Sequence, residues 1–511
     1  MLLHHAFART AQRLADKPAL VSVDERICYG ELLERVHVLA GTLRGDGVER
    51  GDRVLALLDN GVEFAVAVHA VLAVGAVFVP VGALVKAQKL EFIARDTRAC
   101  ALLTQARLAD TWRPVLHAAT SLRCCRVAGD TRGLDADVRV RPWPSHGDTG
   151  HRQEPASGPH ELATLVYTSG TTGVPKGVML THANILSAWT SIQDYLGLRE
   201  DDVIGLSLPA AFSYGLNNLM MGLAIGATVV LDRSAAFPVK VAQMLARERV
   251  TVFPGVPTLF ASLLGLQDLA RFDFGALRLL TNAAAALPEP HVRRLRAAFP
   301  EARLISMYGM SECIRASYLP PAEIDRRPGS VGRGILHQTH WLVDEAGQRL
   351  PDGSIGELVV SGPHVMQGYW ERPAETGARL EPGPIDGERM FHTGDIFRSD
   401  ADGYLYFVSR KDDIINTRGE KVAPREVENA IYQLDAVAAC AVVGVADSVL
   451  GEAVKAYVTL RPGCRVAERD IVRHCLARLE SYMAPKFVEI VDELPRTESG
   501  KIRHASLRRP A

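Results

Sequence analysis

Tyr167-Thr-Ser-Gly-Thr-Thr-Gly-Val-Pro-Lys-Gly177 gathers three glycines, four small hydroxyl side chains, a proline and a lysine into eleven residues. Before it, Leu162-Ala-Thr-Leu-Val-Tyr167 reads as a short buried strand; after it, Val178-Met-Leu180 is apolar and Thr181-His-Ala-Asn184 supplies a threonine cap for a helix. Glycines let a backbone turn its N–H groups inward and come close to a ligand. Hydroxyls add donors and the lysine adds a full charge, so the loop suits a polyphosphate. It is not a Walker loop, which needs Gly-x4-Gly-Lys-[Ser/Thr]; here Lys176 follows Gly173-Val-Pro and precedes a glycine. The bland alternative is a Gly/Ser-rich surface turn. The lysine and the density of hydroxyls count against it.

Working outward, 511 residues are too many for one core and predict two or more domains. A hydrophobic content of 47% with 23% charged residues is that of a soluble globular protein. The net charge of -1 offers no footprint for nucleic acid or an anionic membrane. Eight scattered cysteines form no Cys-x2-Cys pair, which argues against zinc or a redox dithiol and for free thiols in a reducing, cytoplasmic setting. Phe64 to Val85 is apolar over a membrane-spanning length, but Gly75, Pro80 and Gly82 divide it and no basic cluster or aromatic belt flanks it. We read it as a buried helix followed by a buried strand, with no integral membrane association.

Along residues 1–125 and again from Asp202 to Ser306, strand-like and helical patterns alternate, which predicts parallel sheets covered by helices. Residues 129–160 are polar and aperiodic and read as a long surface loop. From Trp341 onward, short strands with Asp-Gly and Gly-Pro turns suggest a small β-rich subdomain, and after Arg410-Lys-Asp-Asp413 comes a compact unit of about 100 residues. The expected fold class is therefore α/β: a large multi-subdomain N-terminal domain over 1–410, and a small α+β C-terminal domain over 411–511.

The loop at 167–177 resembles the phosphate-binding signature of the adenylate-forming (ANL) superfamily, whose members include acyl- and aryl-CoA synthetases and peptide-synthetase adenylation domains. Further stretches match in family order: Met307-Tyr-Gly-Met-Ser-Glu312, the small-residue run Asn282–Leu287, Phe391-His-Thr-Gly-Asp395, Arg418-Gly-Glu-Lys-Val422 and Leu494-Pro-Arg-Thr-Glu-Ser-Gly-Lys-Ile502. The resemblance covers essentially the whole chain. It implies an ATP site built from Thr168, Ser169, Gly170, Thr172, Gly173 and Lys176, with Ala284, Ala285, Tyr308 and Gly309 beside the adenine and Asp395 and Arg410 on the ribose. Glu312 and Thr171 would hold Mg²⁺, which prefers hard oxygen ligands. Lys501 would bridge the substrate carboxylate and the α-phosphate, cancelling charge in the transition state. Gly419 and Lys421 would meet the pantetheine arm of CoA or of a carrier protein, and Asp412 would be the hinge of a small domain that rotates between the two half-reactions.

The acid pocket implied by the resemblance is lined by Phe212, Ser213, Tyr214, Gly215, Val256, Met310, Ile314 and Arg315. Met220 and Met221 are further candidates, with plain core filling as their alternative. Amino-acid-activating relatives place an aspartate at the position of Ser213; a buried ammonium without a partner costs several kcal/mol, so an aryl or fatty acid is favoured over an amino acid. Arg315 either pairs with a second polar group on the acid or lies on the surface. The function these matches imply is activation of a carboxylic acid to an acyl-AMP and its transfer to a thiol, CoA or an acyl carrier protein. The alternatives are a stand-alone enzyme loading a carrier and a non-catalytic nucleotide-binding protein.

Overall fold

The computed structural model describes residues 1–511 except 135–136, 146–156, 170–173, 234–235, 286, 419, 448, 498–500 and 509–511. Among the described residues the strands form three sheets of eight, fourteen and five strands. In the first, Arg53–Leu57, Val77–Val81, Ala101–Gln105 and Cys124–Ala128 run parallel, and Leu162–Ser169 joins them beside Val77–Val81. Alternate residues of Arg53–Leu57 face opposite ways: Val54 and Ala56 enter the larger core, Leu55 and Leu57 a second core on the other face. Both faces are covered, which is why this strand is apolar throughout. The predicted helix and strand over 64–85 are Val62–Val74 and Val77–Val81, separated by Gly75 at φ 78°. Every residue of that helix except Glu63 is buried, including His69, whose pKa burial lowers to about 4 and whose Nδ1 lies 2.8 Å from the Ala65 carbonyl. No helix among the described residues is long and apolar enough to cross a membrane.

The second sheet begins with the N-terminal hairpin of Pro18–Val21 and Arg26–Cys28 and continues in parallel through Thr228–Leu231, Val203–Leu206, Val252–Gly255, Leu279–Asn282 and Arg303–Tyr308. The β-rich stretch that follows is not detached. Ser317–Tyr318 and Ser330–Gly334 carry the hydrogen-bonded path onward to Leu405–Arg410, Arg389–Ser399, Ile355–Ser361 and Thr339–Val343, all antiparallel. The third sheet contains only strands from Ile415 on, over its own apolar cores. One expectation needs correcting: the 129–160 stretch is not all loop. Val140–Pro142 forms an edge strand on Cys124–Ala128, held by Arg126 and Arg141 converging on the buried carboxylate of Asp46. All eight cysteines are free.

Candidate active site

The opening stretch is a β-hairpin. Leu162–Ser169 and Pro175–Thr181 pair antiparallel, with Thr168 opposite Lys176 and Ser169 opposite Pro175. Gly170, Thr171, Thr172 and Gly173 lie outside the described residues. Helix His182–Leu196 follows directly, and its Thr181 cap is completed by Asn184 in a reciprocal capping box. The base of the hairpin is braced from far along the chain. Tyr167 donates a 2.6 Å hydrogen bond to Asp96, Arg372 donates one of 2.7 Å to the same carboxylate, and the Trp370 indole reaches the Asp96 carbonyl at 3.1 Å. Gly177 packs closely here: a Cβ would lie 3.1 Å from the Tyr167 ring, so the ring would have to give way slightly.

Lys176 therefore stands on a strand, its Nζ 5.4 Å from the centre of the Tyr369 ring. The Tyr369 hydroxyl in turn donates to Glu312 Oε1 at 3.0 Å. Tyr369 thus links the lysine of the phosphate hairpin to the candidate metal carboxylate. Sequence reasoning missed it, along with Asp96. The strand Gly368–Tyr369 pairs with Pro175–Thr181 from nearly two hundred residues away, and the only local sign was the aromatic pair Tyr369-Trp370.

A second network forms where the two halves of the large sheet meet. Asp395 and Arg410 face each other across adjacent strands, with Arg410 Nε 3.0 Å from Oδ1, and the Tyr308 hydroxyl donates to Oδ2 at 2.7 Å. Burial works against the Arg410 charge, but Asp395 more than offsets it and holds its pKa raised. Burial, then the Asp395 charge, keeps the Tyr308 phenol neutral well above its ordinary range. Each Asp395 oxygen keeps a further lone pair, so the carboxylate can accept two more hydrogen bonds.

Lys501 arrives on a small hairpin in which Arg496 pairs with Ile502 and Thr497 N–H donates to the Lys501 carbonyl at 2.7 Å. Buried Leu494 and Leu507 fix this hairpin to the third sheet. The amine lies close enough to Arg410, Asp395 and Glu312 to feel all three charges. Its pKa is lowered, first by the protein atoms crowding it and then by Arg410, against the pull of the two carboxylates. The side chain still opens to solvent, which limits the size of the shift. Gly419 lies outside the described residues. Lys421 pairs at 2.6 Å with Glu345 on the exposed surface and makes no ion pair with Glu312 or Asp395. Asp412 sits in a single helical turn, Lys411–Asp413, where Arg508 donates two 3.3 Å bonds to its carbonyl.

Around the predicted acid pocket, Ser213–Ile225 is a helix capped by Phe212, and Gly215 lies against the loop before it, where a Cβ would fall 2.2 Å from the Pro209 carbonyl oxygen. Met220 and Met221 lie deeper along that helix, within the main apolar core. Val256 is buried at a helix start, and Met310 is packed beside Tyr308. Ala284 takes φ 71° at the end of Leu279–Asn282, and Ala285 is exposed next to it. Ile314 takes φ 58°, a conformation that costs a β-branched residue about 1–3 kcal/mol. This turn folds back on Gly309, where a Cβ would lie 2.5 Å from the Ile314 carbonyl, and it buries both Glu312 (8% exposed) and Arg315 (5%). Arg315 is not on the surface. Its guanidinium lies 5.1 Å from the centre of the Tyr214 ring, and the Tyr214 hydroxyl is tied to Thr281 Oγ1 at 2.7 Å.

Fit to Mg²⁺ can be judged from Glu312. It is a buried carboxylate with one oxygen held by Tyr369, and Mg²⁺ is commonly bound by one or two carboxylates together with substrate phosphates. No cluster of three or more metal-ligating side chains occurs among the described residues. A single buried carboxylate is a donor set that fits a metal bound together with nucleotide phosphates.

A family profile described as AMP-binding enzyme matches residues 7–370, and one described as AMP-binding enzyme C-terminal domain matches 426–501. A long-chain-fatty-acid–CoA ligase of Escherichia coli O6:H1 is 32% identical, covering 98% of this chain and 93% of its own. A feruloyl-CoA synthase of an Amycolatopsis species is 34% identical over 94% of each. Among solved structures, an anthranilate CoA ligase in complex with anthranoyl-AMP superposes with a TM-score of 0.91 at 28% identity, covering 99% and 96% of the two chains. A benzoate CoA ligase of Burkholderia xenovorans LB400 gives 0.87 at 27%, with full coverage of both. This chain belongs to the AMP-binding enzyme family and is an AMP-forming acid–thiol ligase of the acyl-CoA synthetase type, with a large AMP-binding domain and a small C-terminal one.

Proposed function

We propose that the chain joins an aryl or fatty acid to CoA in two steps at one site. In the first, a carboxylate oxygen attacks the α-phosphorus of ATP, forming the acyl–AMP bond and releasing pyrophosphate. In the second, a thiol sulfur attacks the acyl carbon, its proton leaves to solvent, and AMP departs with the electron pair of the broken C–O bond. The observation that supports this reading is the pair of buried carboxylates in the large domain, Asp395 held by Tyr308 and Arg410 and Glu312 held by Tyr369, to which the charge of Lys501 couples from the small domain.

In this reading the Lys501 ammonium neutralises charge where two anions meet. Asp395, its oxygens already oriented by Tyr308 and Arg410, accepts the ribose hydroxyls, and Lys176 holds the leaving pyrophosphate with the hydroxyl-rich loop. Glu312 and Thr171 would hold Mg²⁺, which when bound neutralises phosphate charge. The small domain, which we place at 411–511, turns about Asp412 to bring Gly419 and Lys421 to the thiol. Ser213 in place of an acid, and the buried Arg315 cation, both work against an α-ammonium in the pocket. Transfer to a carrier protein is the second reading. Pyrophosphate release across a panel of acids, followed by thioester assay with CoA and with a phosphopantetheinylated carrier, tests both. No release with any acid would refute adenylation, and saturation by carrier alone would replace CoA as the acceptor.

A further inference from the structure

We infer that Arg315 recognises a second carboxylate on the acid, so that the substrates are dicarboxylic acids and the product is a monothioester of one. The inference rests on the adenylating reading above and narrows its acid. Arg315 is 5% exposed, and its Nε, fully enclosed, has no hydrogen-bond partner. No carboxylate among the described residues lies within ion-pair distance of it. A guanidinium stays charged in proteins, and a buried charge met only by neutral groups is costly. The surrounding groups do not supply the missing negative charge. Tyr214, under the guanidinium, has its phenol pushed up to about 12 by burial, and Tyr195, which also interacts with Arg315, is raised further by burial. Tyr195 is itself fixed by stacking on Tyr318, with ring centres 4.0 Å apart and 8° between planes. Both are neutral hydrogen-bonding walls beside a fixed cation.

The position points to the acid rather than to the nucleotide. Arg315 packs against Gly309 and Tyr214, where the parallel strands Leu279–Asn282 and Arg303–Tyr308 end, the edge at which open α/β sheets bind ligands. A carboxylate matches the planar fork of arginine with two parallel hydrogen bonds, whereas an unbranched hydrocarbon tail would leave the charge uncompensated.

The test uses linear α,ω-dicarboxylates and the benzenedicarboxylates, each against its monomethyl ester, with the full chain. Wild type should release pyrophosphate with at least one diacid at a kcat/KM about a hundredfold or more above its ester. Arg315→Met should raise KM for the diacid far more than for the ester, bringing their ratio towards one, and Arg315→Lys should restore part of the preference. Equal use of diacid and ester by wild type, or an equal loss of both in Arg315→Met, would overturn the inference. Should no acid release pyrophosphate, the adenylating reading fails first. Calorimetric titration of wild type with the same pairs then decides the inference alone: tighter binding of a diacid than of its ester sustains it, and equal or absent binding refutes it.

Discussion

Lys501 and Tyr308 each carry a test at the level of single groups. The protonated amine of Lys501 is the useful form, and crowding and Arg410 lower its pKa. As pH rises the charge is lost earlier than for a free lysine. The kcat/KM for ATP should therefore fall on the alkaline side with a midpoint below the ordinary lysine value, and any residual activity of Lys501→Arg should lack that limb, since arginine stays charged. A pH–rate profile of pyrophosphate release checks this. Tyr308→Phe removes the 2.7 Å bond to Asp395 and should raise KM for ATP by about five- to tenfold, equivalent to roughly 1 kcal/mol; an unchanged KM would mean that Tyr308 does not orient the carboxylate. The motif residues Glu312, Asp395 and Lys501 were legible because short signatures name them. Which way Arg315 faced was not, because it depends on a left-handed backbone at Ile314, and isoleucine gives no sign of such a conformation in sequence.

Among elements, the hairpin at 162–181 and the helix at 213–225 bear the most weight. Lys176→Ala should impair pyrophosphate release while sparing thioester formation from supplied acyl-AMP, because in the proposed mechanism its charge holds the leaving group and not the thiol. A parallel loss of both activities would remove it from that role. Gly215→Ala places a methyl group 2.2 Å from the Pro209 carbonyl oxygen and should destabilise the large domain by about 1–3 kcal/mol, read as a lower apparent Tm. Strands such as Arg53–Leu57 and the Thr181-capped helix could be read from apolar runs and a cap residue, because those signals are local. The contacts that brace the phosphate hairpin, Asp96 to Tyr167 and Tyr369 to Glu312, join segments far apart in the chain, and nothing within either segment announces its partner. The edge strand Val140–Pro142 was hidden for a similar reason: its pairing comes from Cys124–Ala128, not from its own polar sequence.

For the whole molecule, length and the break in pattern after Arg410 suggested two units, and the third sheet begins at Ile415. The path that fuses the β-rich strands to the parallel sheet was less visible, since it runs through the two-residue strand Ser317–Tyr318. The charge of Lys501 couples to Asp395 and Glu312 while Lys421 pairs with Glu345, so in the proposed mechanism a thioester step at the same site has the small domain turn. Asp412→Pro, which stiffens that turn, should leave pyrophosphate release nearly intact and abolish thioester formation; equal loss of both would argue against rotation. The most direct test separates the half-reactions at Lys501 itself. With an acid that wild type accepts, Lys501→Ala should release pyrophosphate about a hundred- to a thousandfold more slowly, yet convert supplied acyl-AMP and CoA to the thioester at close to the wild-type rate. Undiminished pyrophosphate release, or an equal fall in both steps, would contradict a lysine that serves adenylation alone.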